Sequence, residues 1–553
     1  MGKPASMPEA GAATELRATE PRANTANRPL PARALLPWRR AAAALGAGAL
    51  HAVSFAPAGL PWLQMLALGA LFWLALDAEG RRASRRAAAL GWVFGLGWFG
   101  IGVSWVYISL HAYGDLAAPL SALATFALAA LLSLFPAAAL AAGVRGGPPR
   151  GPARAAALVA AWTLSEWLRG VVLSGFPWLA AGYAHTDGPL AGYAPLLGVY
   201  GVGAIAALCA VLGVLALRRA LGSGRRPRAA ALPLLLCAGL LAAGQALREP
   251  AWSRDEGRPI RVRLVQGAIS QDLKFGEGSL ERAEARYLPA LQTRTAAAGG
   301  RVAPDLIVFP ESAFPVPVND LPQDVLQKLT DAGLRQGASL VFGAFVVEPP
   351  RRYFNSAIGL DGASGVPQRY SKRHLVPFGE FIPFGMHWFV QMLQIPIGDQ
   401  EAGDEFQAPM RLSGQNIAVN ICFEDLFGAE ILAAWHDRRN QPNILLNLSN
   451  LAWFDDSIAL PQHLQISRMR ALETARPLLR ATNTGVTAII DSRGHVQEQL
   501  PTLAEGVLEG VVQGKSGNTP FTLYGNVPPV TLALLSWLAC VATARRDPEP
   551  TPA

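Results

Sequence analysis

At 553 residues the chain is long enough for more than one domain, and 51% hydrophobic against only 16% charged residues excludes an ordinary soluble protein of this size. A membrane protein is the first expectation. A basic excess of +8 suits either nucleic acid or anionic lipid, so the placement of the charges matters more than their number.

Residues 1–37 are rich in Ala, Pro, Arg, Thr and Asn with no apolar period, which predicts a disordered tail. The tail lacks the layout of a cleavable signal peptide, so insertion falls to the first membrane helix itself. Residues 38–247 then form a series of seven apolar runs, each near the roughly 20 residues that cross about 30 Å of hydrocarbon. They cover 38–56, 60–77, 87–109, 117–143, 154–173, 191–217 and 229–247.

The connections alternate in charge. Arg33, Arg39 and Arg40, then Arg81, Arg82, Arg85 and Arg86, then Arg145, Arg150 and Arg154, then Arg218, Arg219, Arg225, Arg226 and Arg228 mark one side. On the other side Asp115 is the only charge between His111 and Ala118. The positive-inside rule makes the amino terminus cytoplasmic and brings the chain out at Arg248. The arginines therefore serve membrane orientation, and no nucleic-acid partner is expected.

Residues 248–525 change texture. Strand-length runs (Ile260–Val265, Leu306–Phe309, Leu340–Val347, Ile417–Ile421, Ile444–Leu448, Val486–Ile490) alternate with helical patterns at Leu280–Ala297, Leu321–Gln336 and Gln462–Ala475. This is an α/β layered domain on the outer side of the membrane. An eighth membrane helix is predicted over 526–544, and Arg545 and Arg546 behind it make 545–553 a second cytoplasmic tail.

The cysteines sort by compartment. Cys209, Cys237 and Cys540 fall in predicted membrane helices, which leaves Cys422 as the single thiol of a domain in an oxidising space. A lone thiol there is either a small core residue or one retained for chemistry. It sits at the end of the run Ile417–Ile421, where the chain turns into Glu424 and Asp425.

Two other stretches place charges in the same way. Leu306–Phe309 runs into Pro310 and Glu311; proline stops the ladder and holds the carboxylate at the strand edge. Tyr370 to Pro383 carries Lys372 and, eight residues on, Glu380 in an otherwise apolar, proline-constrained loop, where unpaired charges would be costly. Lys372 is one of five lysines, with Lys3, Lys274, Lys328 and Lys515, in a chain whose other cationic side chains are arginine. An arginine cannot exchange a proton at neutral pH. Carboxylate, ammonium and thiol together are the equipment for acyl transfer through a thioester. His374 and His463 are weaker base candidates, and no metal-ligand spacing occurs among the histidines and cysteines.

Pro310-Glu311 after a strand, Lys372 within Lys-x-His-Leu-Val-Pro-Phe-Gly-Glu and Cys422 within Ile-Cys-Phe-Glu resemble the Glu-Lys-Cys motifs of the nitrilase (carbon-nitrogen hydrolase) superfamily. Arg169-Gly170, Gly175 to Leu179, Gly182-Tyr183, Gln462-His463 and Arg468 to Arg480 extend the match. A nitrilase-like domain between seven membrane helices and one more is similar to the apolipoprotein N-acyltransferase family of the bacterial inner membrane. The resemblance implies an α-helical membrane bundle of eight transmembrane helices plus an α-β-β-α sandwich.

It also implies Glu311 as general base, Lys372 as oxyanion stabiliser and Cys422 as nucleophile. Glu380 would orient Lys372, Glu424 would support the site, and the Phe423 N–H would be a second oxyanion donor. No cofactor or metal is implied. The partners would be a phospholipid acyl donor, diacylglyceryl-modified apolipoproteins and the membrane. The match departs at Phe309, Phe423, Leu451 and Asp455, where the family has Trp, Tyr, Asp and Gly.

Phe381, Phe384, Trp388 and Phe389 follow the lysine loop and could dip toward acyl chains or pack in a core. Two other readings compete. One is a membrane-anchored amidase or nitrilase that releases ammonia. The other is a transporter with a degenerate outer domain, against which the membrane runs carry few ionisable residues beyond Glu166, itself spaced to pair with Arg169.

Overall fold

The computed structural model describes residues 36–80, 82–148, 151–222, 227–292, 295–297, 300–382, 385 and 400–546. The tail before residue 36 lies outside them, as do Phe384, Trp388 and Phe389. Each predicted apolar run falls on helix. The helices are Trp38–Val53, Pro61–Leu76, Ala83–Gly102 with its continuation, Ala118–Leu132 with Leu134–Gly146, Pro152–Arg169, Ala194–Leu221, Pro227–Ala246 and Val527–Arg546.

By length and composition, four helical stretches among the described residues can cross a membrane: Ala118–Gly146, Pro189–Leu221, Arg228–Ala246 and Val527–Arg545. The pair Ala83–Gly102 and Val106–Tyr113, bent by 60°, makes a fifth if taken as one span. Pro61–Leu76 is apolar but only 16 residues long. Pro152–Arg169 carries the buried charges Arg154, Glu166 and Arg169.

Large apolar side chains face outward on these helices: Leu120, Leu123 and Phe126, then Leu232, Leu234, Leu235 and Leu236, then Leu532, Leu535 and Leu538. Hydrocarbon solvates such a surface and water does not. The chain is membrane-associated. Inside, Gly48 and Gly97 lie where Trp38–Val53 and Ala83–Gly102 cross so closely that a Cβ at either would meet the opposite backbone. Ala194–Leu221 is broken at Gly198, whose φ of 63° suits glycine.

Among the described residues the α/β domain has twelve principal strands. In chain order they are β1 Ile260–Gln266, β2 Leu306–Val308, β3 Ser339–Glu348, β4 Arg352–Leu360, β5 Pro367–Ser371, β6 Met410–Leu412, β7 Gln415–Ile421, β8 Ile444–Ser449, β9 Leu478–Thr482, β10 Ala488–Ile490, β11 Val496–Gln499 and β12 Gly506–Val512. They make two six-stranded sheets, ordered β12-β1-β2-β3-β4-β5 and β6-β7-β8-β9-β10-β11. Both have the same pairing pattern: one antiparallel pair, two parallel pairs, then two antiparallel pairs.

Side chains alternate across each strand, so the sheets pack face to face through Val262, Leu264, Leu306, Val308 and Val341 against Ile417, Val419, Ile421, Leu446 and Leu448. The outer faces are covered by helices. Tyr287, Val325 and Leu329 cover Ile307 and Leu340; Ile431, Trp435 and Ala471 cover Ala418 and Leu445. The expected α-β-β-α layering is present.

Two predicted elements differ. Leu280–Ala297 is not one helix: it divides into Ser279–Tyr287 and Pro289–Gln292, because Pro289 cannot continue the ladder. Gln462–Ala475 is longer, Ala459–Thr474, and almost wholly buried. One face of that helix meets the second sheet through Ala471, and the other meets the membrane bundle through Ile466, Met469 and Leu472. Its last turn reaches the break at Gly198, where Glu473 Oε1 accepts the Val199 amide at 2.7 Å.

Candidate active site

β2 lies at the centre of its sheet and β7 lies one strand in from the edge strand β6, each with a parallel neighbour, and their ends bring Glu311 and Cys422 together. Burial of these interior strands on both faces explains the apolar runs Leu306–Val308 and Ile417–Val419, and the ends place polar residues where the ladder stops. Beyond β7, Cys422 adopts φ 52° and opens a short 3₁₀ turn, Cys422–Leu426. A left-handed conformation in a non-glycine residue costs about 1 kcal/mol or more and aims the side chain away from the strand. Cys422 as a residue is half-buried.

Beyond β2, the Pro310 carbonyl still accepts from Gly343 N at 3.1 Å, so Glu311 is fixed by the strand even after proline has removed a donor. Glu311 Oε1 accepts from Asn355 Nδ2 at 2.8 Å and Oε2 accepts from the Asn450 amide at 2.7 Å. Lys372 follows β5, and its Nζ is 2.7 Å from Glu380 Oε1 and 3.7 Å from Glu311 Oε1. Only 1% of Lys372 is exposed. Asn355 Nδ2 also reaches Glu380 Oε1 at 3.2 Å, and Glu380 Oε2 accepts the Val376 amide at 2.8 Å. The predicted lysine–glutamate pairing is therefore a closed network with both carboxylates.

Burial opposes the Lys372 ammonium, but Glu380 and Glu311 outweigh it and hold its pKa above the ordinary lysine value. Burial pushes the Cys422 thiol up, the Glu311 carboxylate pushes it further, and Lys372 offsets only part. One ammonium faces two carboxylates around the sulfur, so the local field favours the proton there. A carboxylate beside such a thiol can take its proton when an acyl group arrives, and the ammonium can meet the oxyanion that forms.

Glu424 stands as a brace. Its Oε2 accepts from Ile421 N at 2.6 Å, and its Oε1 from Arg373 N at 2.7 Å, His374 N at 3.2 Å and Tyr370 Oη at 3.0 Å. One side chain thus ties the cysteine turn to the lysine loop. Phe423 is buried against His374 and Phe427. Both histidines are engaged with other groups. His374 is engaged with Glu430, Ser174 and Phe427. His463 contacts the Cys422 carbonyl, and burial followed by Arg480 lowers its pKa well below the ordinary value.

Lys274, Asn355 and Asn450 were not singled out as site residues from sequence. Lys274 is 3% exposed, and its Nζ donates to the Glu311 carbonyl at 3.2 Å. The scarcity of lysine that drew attention to Lys372 marked Lys274 equally. Asn355 interrupts an apolar strand with a residue depleted from strands, which was also a signal.

Burial lowers the Lys274 pKa to about 8, against partial support from Glu311. Because the folded value lies below the unfolded one, the burden of the buried ammonium is full below pH 8 and lifts as pH climbs toward 10.5. Lys274→Met should therefore raise the melting temperature at pH 7. A melting temperature unchanged in Lys274→Met would count against this effect.

Comparison with known proteins completes the picture. Residues 47–212 match the family described as apolipoprotein N-acyltransferase N-terminal domain, and residues 253–520 match carbon-nitrogen hydrolase. A protein of Ralstonia nicotianae named apolipoprotein N-acyltransferase is 46% identical over 90% of this chain and 92% of its own length. One of the same name from Bordetella bronchiseptica is 43% identical over 93% and 98%. Among solved structures, a carbon-nitrogen hydrolase from Helicobacter pylori aligns with 53% of this chain and 95% of its own at 13% identity and TM-score 0.32. With a bundle in the first matched region and a layered α/β domain in the second, the chain belongs to the apolipoprotein N-acyltransferase family.

Proposed function

We propose that this enzyme transfers a fatty acyl chain from a phospholipid, through a thioester on Cys422, to the N-terminal amine of diacylglyceryl-cysteine lipoproteins, the last step of their maturation. The observation that carries this reading is the convergence of Glu311, Lys372 and Cys422 at one edge of a domain packed on an apolar bundle. Glu311 takes the thiol proton as Sγ attacks the ester carbonyl. Lys372, oriented by Glu380, and the Phe423 N–H receive the oxyanion, while Glu424 holds the two loops in register. The C–O bond breaks, and Glu311 returns its proton to the leaving lysophospholipid. The lipoprotein α-amine then attacks the thioester and gives its proton to Glu311. As the C–S bond breaks, that proton goes back to sulfur, and the cycle balances without a cofactor.

The topology belongs to the same proposal. Eight spans would place 1–37 and 545–553 in the cytoplasm, 38–247 and 526–544 in the bacterial inner membrane, and the catalytic domain, 248–525, in the periplasm. The arginine-rich loops on one side and the outward leucines support it. Such a placement brings two lipid-anchored substrates to one surface, which raises their effective concentration.

The test is mass spectrometry of the full-length chain after incubation with phospholipid in a bilayer mimic. Cys422 should carry a fatty acyl mass, absent from Cys422→Ser and discharged by a diacylglyceryl lipopeptide. An unmodified Cys422 with acylation elsewhere would overturn the assignment. Ammonia release from small amides without transfer to the lipopeptide would favour the amidase reading, and full cellular activity in Cys422→Ala would favour the transporter reading.

A further inference from the structure

A path of direct contacts runs from the membrane bundle to the backbone of the cysteine. It begins with the Glu166–Arg169 pair, 3.0 Å apart and buried on Pro152–Arg169. Arg169 Nη1 donates to the carbonyls of Phe176 at 2.6 Å and Trp178 at 2.7 Å, and Glu166 Oε2 accepts the Ala181 amide at 2.7 Å. The segment 176–181 is thereby tied to a buried charged pair. Arg169 also lies over the ring of Trp98.

From that segment Trp178 projects into the α/β domain. Its indole N–H donates to Gln462 Oε1 at 2.7 Å, and its ring stacks on His463 with centroids 5.6 Å apart and planes 18° from parallel. Arg480 has only donors, so the His463 Nδ1 it contacts is an acceptor and the proton sits on Nε2. Nε2–H then donates to the Cys422 carbonyl at 3.2 Å. Asn447 Nδ2 is a second, longer donor to the same oxygen at 3.4 Å. That carbonyl belongs to the residue held at φ 52°, a conformation that persists only where surrounding contacts over-determine it. On the far side of the turn Tyr183, also from the bundle, donates to the Leu426 carbonyl at 3.1 Å.

We propose that the bundle segment 176–181, acting through Trp178 and His463, sets the backbone conformation of Cys422, so that the bundle is part of the machinery that aims the nucleophile. This deepens the proposed function and rests on Cys422 being the acylated residue. Trp178 and His463 are positioning residues: neither needs to touch the substrate. A displacement of the sulfur by about 1 Å is enough to slow attack by up to a hundredfold. The aim of the sulfur, not lipid capture, is what should suffer.

The experiment separates those two. Full-length protein in detergent micelles is mixed with p-nitrophenyl butyrate, a water-soluble ester that needs no lipid path, and the p-nitrophenolate burst is followed alongside transfer from phosphatidylglycerol. Trp178→Leu should slow the burst about tenfold, with the KM for the ester changed less than about twofold. His463→Leu should slow it more, and His463→Gln, which restores a donor toward the Cys422 carbonyl, should recover most of the rate. Melting temperature confirms folding, and Trp178→Leu alone decides if His463→Leu does not fold. A normal burst in Trp178→Leu, with only phosphatidylglycerol transfer impaired, overturns the proposal and assigns Trp178 to lipid access. A burst that survives in Cys422→Ser instead overturns the reading of Cys422 as the acylated residue, and this proposal with it.

Discussion

Glu311→Gln should abolish acyl transfer and, at the same time, make Cys422 easier to alkylate. Loss of a general base typically costs 10²–10⁴ in rate, so turnover should fall by about a thousandfold. The thiol responds in the opposite sense. Burial is the larger reason for its raised pKa, but the Glu311 carboxylate is the next, and a neutral amide of the same shape removes it while Lys372 keeps its charge. More thiolate is then present at any given pH, and iodoacetamide at pH 8 should react about three- to tenfold faster than with the parent protein. The two readouts must diverge. If alkylation slows together with turnover, the carboxylate is stabilising the thiolate and the local charge balance described above is wrong. Lys372→Met provides the mirror image, with both alkylation and turnover falling.

Glu424→Ala should lower stability by about 3–5 kcal/mol as well as activity, because it strips the acceptor from the backbone N–H groups of Ile421, Arg373 and His374. Only 4% of Glu424 is exposed, so water cannot easily replace it. Burial raises the pKa of this carboxyl, and the backbone donors pull it only part of the way back. With the brace gone, the lysine loop is free to shift relative to the cysteine turn, and acyl-enzyme formation should drop more than ester binding. Glu424→Gln retains one acceptor oxygen and should fall between. The check is a denaturation series alongside burst kinetics. A variant within about 0.5 kcal/mol of the parent would remove Glu424 from this role.

Much of this arrangement was visible in the residues. The apolar runs that end in Glu311 and Cys422 are interior strands with a parallel neighbour, buried on both faces, so their length and their abrupt polar ends were both informative. Lys372 and Glu380 stood out because proline and glycine stiffen the loop that separates them. Glu166 and Arg169, three apart on one helical face, do pair.

What sequence could not supply was adjacency across the two sheets. Asn355 sits in β4 and Asn450 just after β8, and nothing local says that both serve Glu311. His463 looked like a base because imidazole is one in isolation; its role depends on Arg480, which arrives from β9. That strand was itself hard to read, since Arg480 and the threonine at its end are buried polar residues where alternation would demand apolar ones. Burial is the first cause of the raised thiol pKa, and burial is a property of the assembled layers.

The helix Ala459–Thr474 is gripped by a sheet on one side and by the bundle on the other, and Glu473 closes the joint at the interrupted helix beside it. On the proposed function, a sulfur held by such a joint reacts at a fixed distance from the bundle, and a lipid-anchored acceptor would have to bring its amine to that distance.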